Sequence, residues 1–182
     1  MSSSKTVGKP ELAPRGSIVK TAQSGSGGDF AAPKIAAPSV IVEGKEVYLL
    51  DPQARIAVIR QGIPVSVIGN LSSRMGITKE SLLSSLGLSR ATISRKEKHS
   101  TVLSKNESER VLGVGILIGM VQAMVEQSGD STGFDPALWV SGWLTKSLPA
   151  LAGATPASYM DTFEGQKLVT ELLSISQSGA YA

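Results

Sequence analysis

Apolar and polar positions change rhythm twice along the chain. Residues 1–38 carry few large apolar side chains and are rich in Ser, Gly, Pro and Ala. Such a composition buries too little surface to offset chain entropy, so a disordered tail is expected there. Residues 39–50, SVIVEGKEVYLL, hold two β-prone runs around Glu43-Gly44-Lys45, the pattern of a short N-terminal β-hairpin. A two-stranded hairpin is marginal alone and needs a helix to pack on. From Asp51 onward the apolar spacing is helical.

The helix ends are marked by residues that satisfy orphan backbone groups. Asp51-Pro52 is an N-cap followed by Pro at the first helical position, and that helix runs to Gly62. Pro64 starts the next, which stops at Gly76. Thr78 caps KESLLSSLG, with Ser81 where Glu would complete a capping box. Ser89 caps RATISRKEKHS. Ser104 caps a long helix that reaches Gly129, and Glu107 completes its box. Asp135-Pro136 opens ALWVSGWLTKSLPALAG, Thr155-Pro156 opens a short turn, and Phe163 to about Ser176 forms the last helix. The expected fold class is all-α.

Within this pattern one pair of helices has a sharper spacing. A helix-turn-helix needs apolar residues near the middle and end of its first helix, and Gly at a turn of positive φ. An apolar residue follows the turn, with another five positions on. Leu82, Leu86, Gly87, Leu88 and Ile93 occupy those five places. Two places depart. Leu83 stands at an inner position that is usually small, and Lys96 at the last apolar position of the second helix. The candidate DNA-binding residues are Ser89, Arg90, Thr92, Ser94, Arg95, Lys96 and Lys98. Their hydroxyl and cationic groups suit phosphates and guanine edges. A solvated helix without a partner is the bland alternative, and the five-place spacing outweighs it.

The 182 residues are 41% apolar, enough for one or two small domains with real cores. A net charge of +3 adds only a slight bias toward nucleic acid. With no cysteine, neither a disulfide scaffold nor cysteine-ligated zinc is available. MSSSKTVGKPEL lacks the apolar run of a signal peptide. The apolar stretch Val111–Val125 falls short of the roughly 20 residues of a spanning helix. A soluble cytoplasmic protein without membrane association is therefore expected. Gly113, Gly115 and Gly119 lie inside the long helix, where close helix packing is the first reading and a dimer contact the second. The chain holds one histidine and no metalloprotease, phosphate-loop or nucleophile-elbow motif, so no enzyme activity, catalytic residue, cofactor or metal is expected.

RATISRKEKHSTVLSKNESERV, residues 90–111, resembles the T-hydrophobic-S-R-R/K … L-S-x-x-E-S-E-R signature of Xre/MbcA/ParS-type antitoxins. The segment from Trp143 resembles their toxin-binding domain. It matches at Trp143-Leu144, Pro149-Ala150-Leu151, Gly153, Thr155-Pro156, Asp161-Thr162, Gly165, Val169, Leu172, Gly179 and Tyr181. Ala152 replaces a family Gly, no Asn precedes Pro149, and Ser176-Gln177-Ser178 stands where an acidic-aromatic pair is common. The resemblance implies an Xre-like helix-turn-helix region over residues 39–130 and a small helical toxin-binding domain over 131–182. It also implies a type II toxin–antitoxin pair. The partner is then a RES-domain toxin of ADP-ribosyltransferase-like fold that consumes NAD or modifies a target with it. The antitoxin covers the toxin's site and represses its own promoter DNA. Candidate toxin-binding residues are Trp143, Leu168, Leu172, Gly179, Ala180 and Tyr181. A homodimer is expected, because one helix-turn-helix covers one half-site. The rival reading is a stand-alone Xre-like repressor, which the presence of an adjacent toxin gene would separate.

Overall fold

The computed structural model describes residue 42, residues 44–129 and residues 131–177. The tail expected over residues 1–38 lies outside these. So do Gly179, Ala180 and Tyr181.

Eight α-helices and two 3-10 turns follow one another among the described residues: α1 Glu46–Leu49, α2 Pro52–Gln61, α3 Ser66–Arg74, α4 Lys79–Ser85, α5 Arg90–Lys98, α6 Lys105–Ser128, α7 Pro136–Leu144, the turns Pro149–Leu151 and Pro156–Tyr159, and α8 Phe163–Gln177. The caps act as their residue types require. Asp51, Thr78, Ser89 and Asp135 each accept a backbone N–H from their own first turn. Ser104 and Glu107 close a full capping box on α6. Ser81, in the place of a box Glu, instead shares a 2.9 Å hydrogen bond with the Thr78 hydroxyl. The helix expected to run through SLPALAG stops at Leu144. Pro149 has no N–H to continue it and opens a 3-10 turn.

One expectation is overturned where it can be seen. The second half of SVIVEGKEVYLL forms the helical turn α1, not a strand. Residues 39–41 and 43 lie outside the described residues. The cause is tertiary. Val47 is fully buried, and Val42 and Lys45 reach the surface of α6 at Gly115 and Gly119. A Cβ at Gly115 would lie 2.5 Å from the Val42 carbonyl oxygen. Burial against a smooth helix face overrides the weak β-propensity of a short run.

α6 is the axis of the molecule. It is long and apolar enough to cross a membrane by length and composition, but most of its apolar side chains are buried within the protein. Val111, Leu112, Val114, Leu117, Ile118, Met120 and Val121 are all buried. One core cluster runs from Val42 and Val58 through α6 to Val140, Met160, Val169 and Leu173. The helix-turn-helix and the C-terminal helices thus share a single apolar interior. A Cβ at Gly113 would fall 1.9 Å from Gln166 Oε1 of α8. The three glycines of α6 therefore face contacts within the chain.

The helix-turn-helix is pinned at its far end by backbone bonds. Leu103 N–H donates to Ile63 O at 2.8 Å, and Val65 N–H to Thr101 O at 3.2 Å. These flank an antiparallel bridge between Pro64 and Val102. The buried Ser108 hydroxyl accepts Ile63 N–H at 3.1 Å and donates to Leu103 O at 3.4 Å. The loop that leaves α5 is thereby fastened to the loop between α2 and α3.

Candidate functional site

The turn between α4 and α5 has the geometry that the spacing demands. Gly87 sits at φ +58°. Its N–H donates to Ser84 O at 3.1 Å, and Leu88 N–H donates to Leu83 O at 2.8 Å. That pair of bonds is a Schellman motif, whose residue after the glycine packs toward the third residue from the helix end. Those two positions are Leu88 and Leu83, and both are buried. The large residue at 83 thus has a role in ending α4. Ser100 ends α5 with the same bonding, at φ +47°.

α5 presents Arg90, Ala91, Ser94, Arg95 and Lys98 to solvent. Positions 91, 94, 95 and 98 recur three and four apart, so they share one face. Ile93 is the buried residue of this helix. Ser89 is exposed, and its hydroxyl accepts Thr92 N–H at 3.4 Å. Thr92 is half-buried. Arg90 lies 3.4 Å from Glu80, with its side chain 76% exposed, so that pair leaves the guanidinium accessible. Glu97 points away from this face, to Lys79 at 3.0 Å.

Lys96 does not belong to the exposed set, and the expectation for it is corrected. Its ammonium donates to Glu107 at 2.7 Å and to Val102 O at 3.2 Å, with 22% of the side chain exposed. Partial burial pushes the Glu107 carboxyl up. The hydrogen bonds from Lys96 and from the Ser104 N–H outweigh that and hold its pKa below the usual carboxylate range. An inward position that usually holds an apolar residue is filled by a lysine whose charge is met by a capping-box glutamate.

The signature L-S-x-x-E-S-E-R now reads as a set of contacts. Leu103 is buried, Ser104 caps α6, Glu107 completes the box and receives Lys96, and Ser108 fastens the loops. Arg110 reaches back to the helix-turn-helix turn, donating to Leu86 O at 3.2 Å and Gly87 O at 3.0 Å. Sequence reasoning missed the roles of Ser108, Arg110 and Gln166, although the first two lie inside the motif.

The C-terminal helices carry a second exposed feature, and it is apolar. Trp139 is 41% exposed and stacks on Trp143, with ring centroids 6.3 Å apart and planes at 10°. Phe134 lies against Trp139 at 6.4 Å. Leu168 and Ile175, seven apart on α8, are each 38% exposed. Trp143 and Leu172, expected at a toxin interface, are instead buried at 8% and 9% exposure. Their side chains complete the core, and Trp139 and Leu168 show the surface. Both tryptophans share a helix face in sequence, but nothing local says which of them is covered. A groove of about 270 Å³ beside Trp139 is lined by Val121, Met124, Phe134, Leu173 and Ser176. No cluster of three potential metal ligands occurs among the described residues.

A helix-turn-helix with a basic face, fused through one core to helices bearing exposed aromatic and aliphatic groups, defines a DNA-binding protein with a second, protein-binding part. Residues 54–114 match the family described as the antitoxin Xre-like helix-turn-helix domain. Residues 129–179 match the antitoxin Xre/MbcA/ParS C-terminal toxin-binding domain. The chain is also 39% identical over 138 residues to a Sphingobium sp. (strain YBL2) protein named "Prs ADP-ribosylating antitoxin", covering 76% of this chain and 87% of that one. The chain belongs to the Xre/MbcA/ParS antitoxin family. It is an antitoxin of a toxin–antitoxin system, with a DNA-binding helix-turn-helix and a toxin-binding C-terminal domain.

Proposed function

We propose that this antitoxin neutralises a RES-domain toxin that consumes NAD or ADP-ribosylates a target, and that it does so by covering the toxin's active site. In the cytoplasm, as a homodimer, it represses its own promoter through α5. The observation that carries the toxin class is the 39% identity to the Sphingobium protein, whose name joins "ADP-ribosylating" to "antitoxin". The DNA half of the proposal is supported by the exposed Arg90, Ser94, Arg95 and Lys98 of α5, with Ser89 and Thr92 at its start.

The covering segment is the chain after Gln177. There Gly179 and Ala180 precede one aromatic, Tyr181. Small residues let a segment enter a narrow cleft, and a tyrosine fills a pocket at low entropy cost. Burying such a side chain fully is worth about 1.5–3 kcal/mol, roughly ten- to a hundredfold in affinity. The exposed side chains of Leu168, Ile175 and Trp139 supply the rest of the contact. Deleting residues 178–182 then leaves a protein that captures the toxin more weakly and protects cells poorly, with promoter binding unchanged. The check is co-expression with the toxin, scored by growth and by pull-down on the same truncation. Full neutralisation by the truncated protein would show the tail to be passive and move inhibition to the α8 face.

A further inference from the structure

We propose that Arg110 is a positioning residue for DNA recognition: it holds the turn before α5 and so sets the angle at which α5 meets the duplex. This rests on α5 being the DNA-reading helix. Arg110 lies on α6, half-buried and off the exposed face of α5. One guanidinium nitrogen, Nη1, carries two N–H bonds, and the two carbonyls it serves belong to Leu86 and Gly87. These are the C-cap of α4 and the turn residue itself. At a helix end, carbonyls lack intrahelical donors, so an outside donor fixes the direction in which the chain leaves.

The other side of the staple is braced. The carbonyl of Arg110 accepts Gln166 Nε2 at 3.0 Å, and the same amide nitrogen donates to Met160 O at 2.8 Å. Gln166 is 6% exposed. A Cβ at Gly87 would come within 3.2 Å of Asp161 Cβ and 3.5 Å of Arg110 Nη1. The turn is thus seated against α6 and the link that leads into α8.

α5 depends on this seat because few of its own side chains anchor its N-terminal half, where the Arg90–Glu80 pair is exposed. Its buried side chain is Ile93. The ion pairs of Lys96 with Glu107 and of Lys79 with Glu97 tie its C-terminal half. Its N-terminal half, which carries Arg90 and Ser94, follows directly from the turn. Base contacts in the major groove need side chains placed to within hydrogen-bond reach, so a small change in exit angle costs base contacts without removing a charge from the DNA face.

The salt dependence of binding separates positioning from direct contact. A residue that neutralises a phosphate contributes to the slope of log affinity against log salt, and one that only positions does not. The full-length protein is titrated with a duplex of its own promoter region across a salt series. The variants are Arg110→Met, Arg110→Lys and the double variant Arg90→Ala/Arg95→Ala. Expected for Arg110→Met is binding weaker by about five- to a hundredfold, the worth of one bidentate base contact. Its salt slope stays that of the parent, and toxin capture is retained. Arg110→Lys, whose ammonium reaches one carbonyl, falls between. Parent-like binding by Arg110→Met overturns the proposal, and so does a reduced slope, which would make Arg110 a phosphate contact. The double variant tests the underlying reading separately. It loses both affinity and slope if α5 reads DNA, and it binds like the parent if α5 does not. Should Arg110→Met lose its helical circular dichroism, Arg110→Lys decides alone: weakened binding at an unchanged slope supports positioning, and parent-like binding overturns it.

Discussion

Replacing glycine by alanine at two helical positions should shift stability in opposite directions. In a helix interior alanine is favoured over glycine by about 0.8–1.0 kcal/mol. Gly69, on α3, has no atom within 4 Å of where a Cβ would stand. Gly69→Ala should therefore realise that gain, about 0.5–1 kcal/mol. Gly115 has the same intrinsic gain available and a different neighbourhood. Its Cβ would stand 2.5 Å from the Val42 carbonyl oxygen and 3.1 Å from Val42 Cγ1. A close carbon–oxygen contact is about 3.3–3.6 Å, so the segment at Val42 must retreat by close to an ångström. The obstacle is backbone, which cannot rotate aside as a side chain can. Overpacking of this kind costs about 1–3 kcal/mol. If the segment detaches instead, the burial of Val42 is lost, at a comparable cost of about 1.5–3 kcal/mol. Net of the helix gain, Gly115→Ala should destabilise by up to about 2 kcal/mol. The helix gain is common to both, so the two variants then stand about 1–3 kcal/mol apart in urea unfolding followed by circular dichroism, at equal m-values. A Gly115→Ala protein as stable as Gly69→Ala would refute the view that α6 carries glycine to let the N-terminal segment approach.

Two further outcomes follow from the backbone and the ion pairs. Ala152 holds φ +53° and ψ +33° at a place where the family pattern has glycine. The left-handed region costs an L-residue roughly 1–2 kcal/mol, so Ala152→Gly should raise the thermal midpoint, and an unchanged or lower midpoint would show that no strain is held there. Lys96→Met should cost about 1–2 kcal/mol near neutral pH, after allowing for screening of a partly exposed pair. The pKa of Glu107 is lowered in the folded protein, so its stabilisation is present above the ordinary glutamate value of about 4.3 and is lost as pH falls through the lowered one. The gap between Lys96→Met and the parent in denaturant titrations should therefore narrow in acid, and a gap constant with pH would contradict the pairing.

What the sequence disclosed depended on how far each feature reaches along the chain. Caps at Asp51, Ser89 and Ser104 are legible because donor and acceptor lie three residues apart. The helix-turn-helix is legible because Leu82, Leu86, Gly87, Leu88 and Ile93 define it within twelve positions. Sequence alone groups Lys96 with Arg95, because both are cations on one helix. The carboxylate that claims Lys96 stands on the next helix. Arg110 and Gln166 are 56 residues apart in sequence and meet only in the folded chain. The same distance in sequence hid which tryptophan is covered and turned a β-prone run into α1.

This division also separates two parts of the signature. Leu103, Ser104, Glu107, Ser108 and Arg110 are engaged with one another, with the loop at Ile63 or with the turn at Gly87, so their identities are dictated by the fold. On α5, Arg90, Ala91, Ser94, Arg95 and Lys98 touch little of the molecule's interior, and the fold places few demands on them. On the proposed reading of α5 as the DNA-reading helix, changes in that exposed set alter which DNA sequence is read while the helix stays seated. On the same reading, changes in the 103–110 run act on the seat itself, and through it on every base contact at once. A variant at Arg95 should therefore relax discrimination mainly at the base pair it faces, whereas one at Arg110 should weaken matched and mismatched promoter duplexes together.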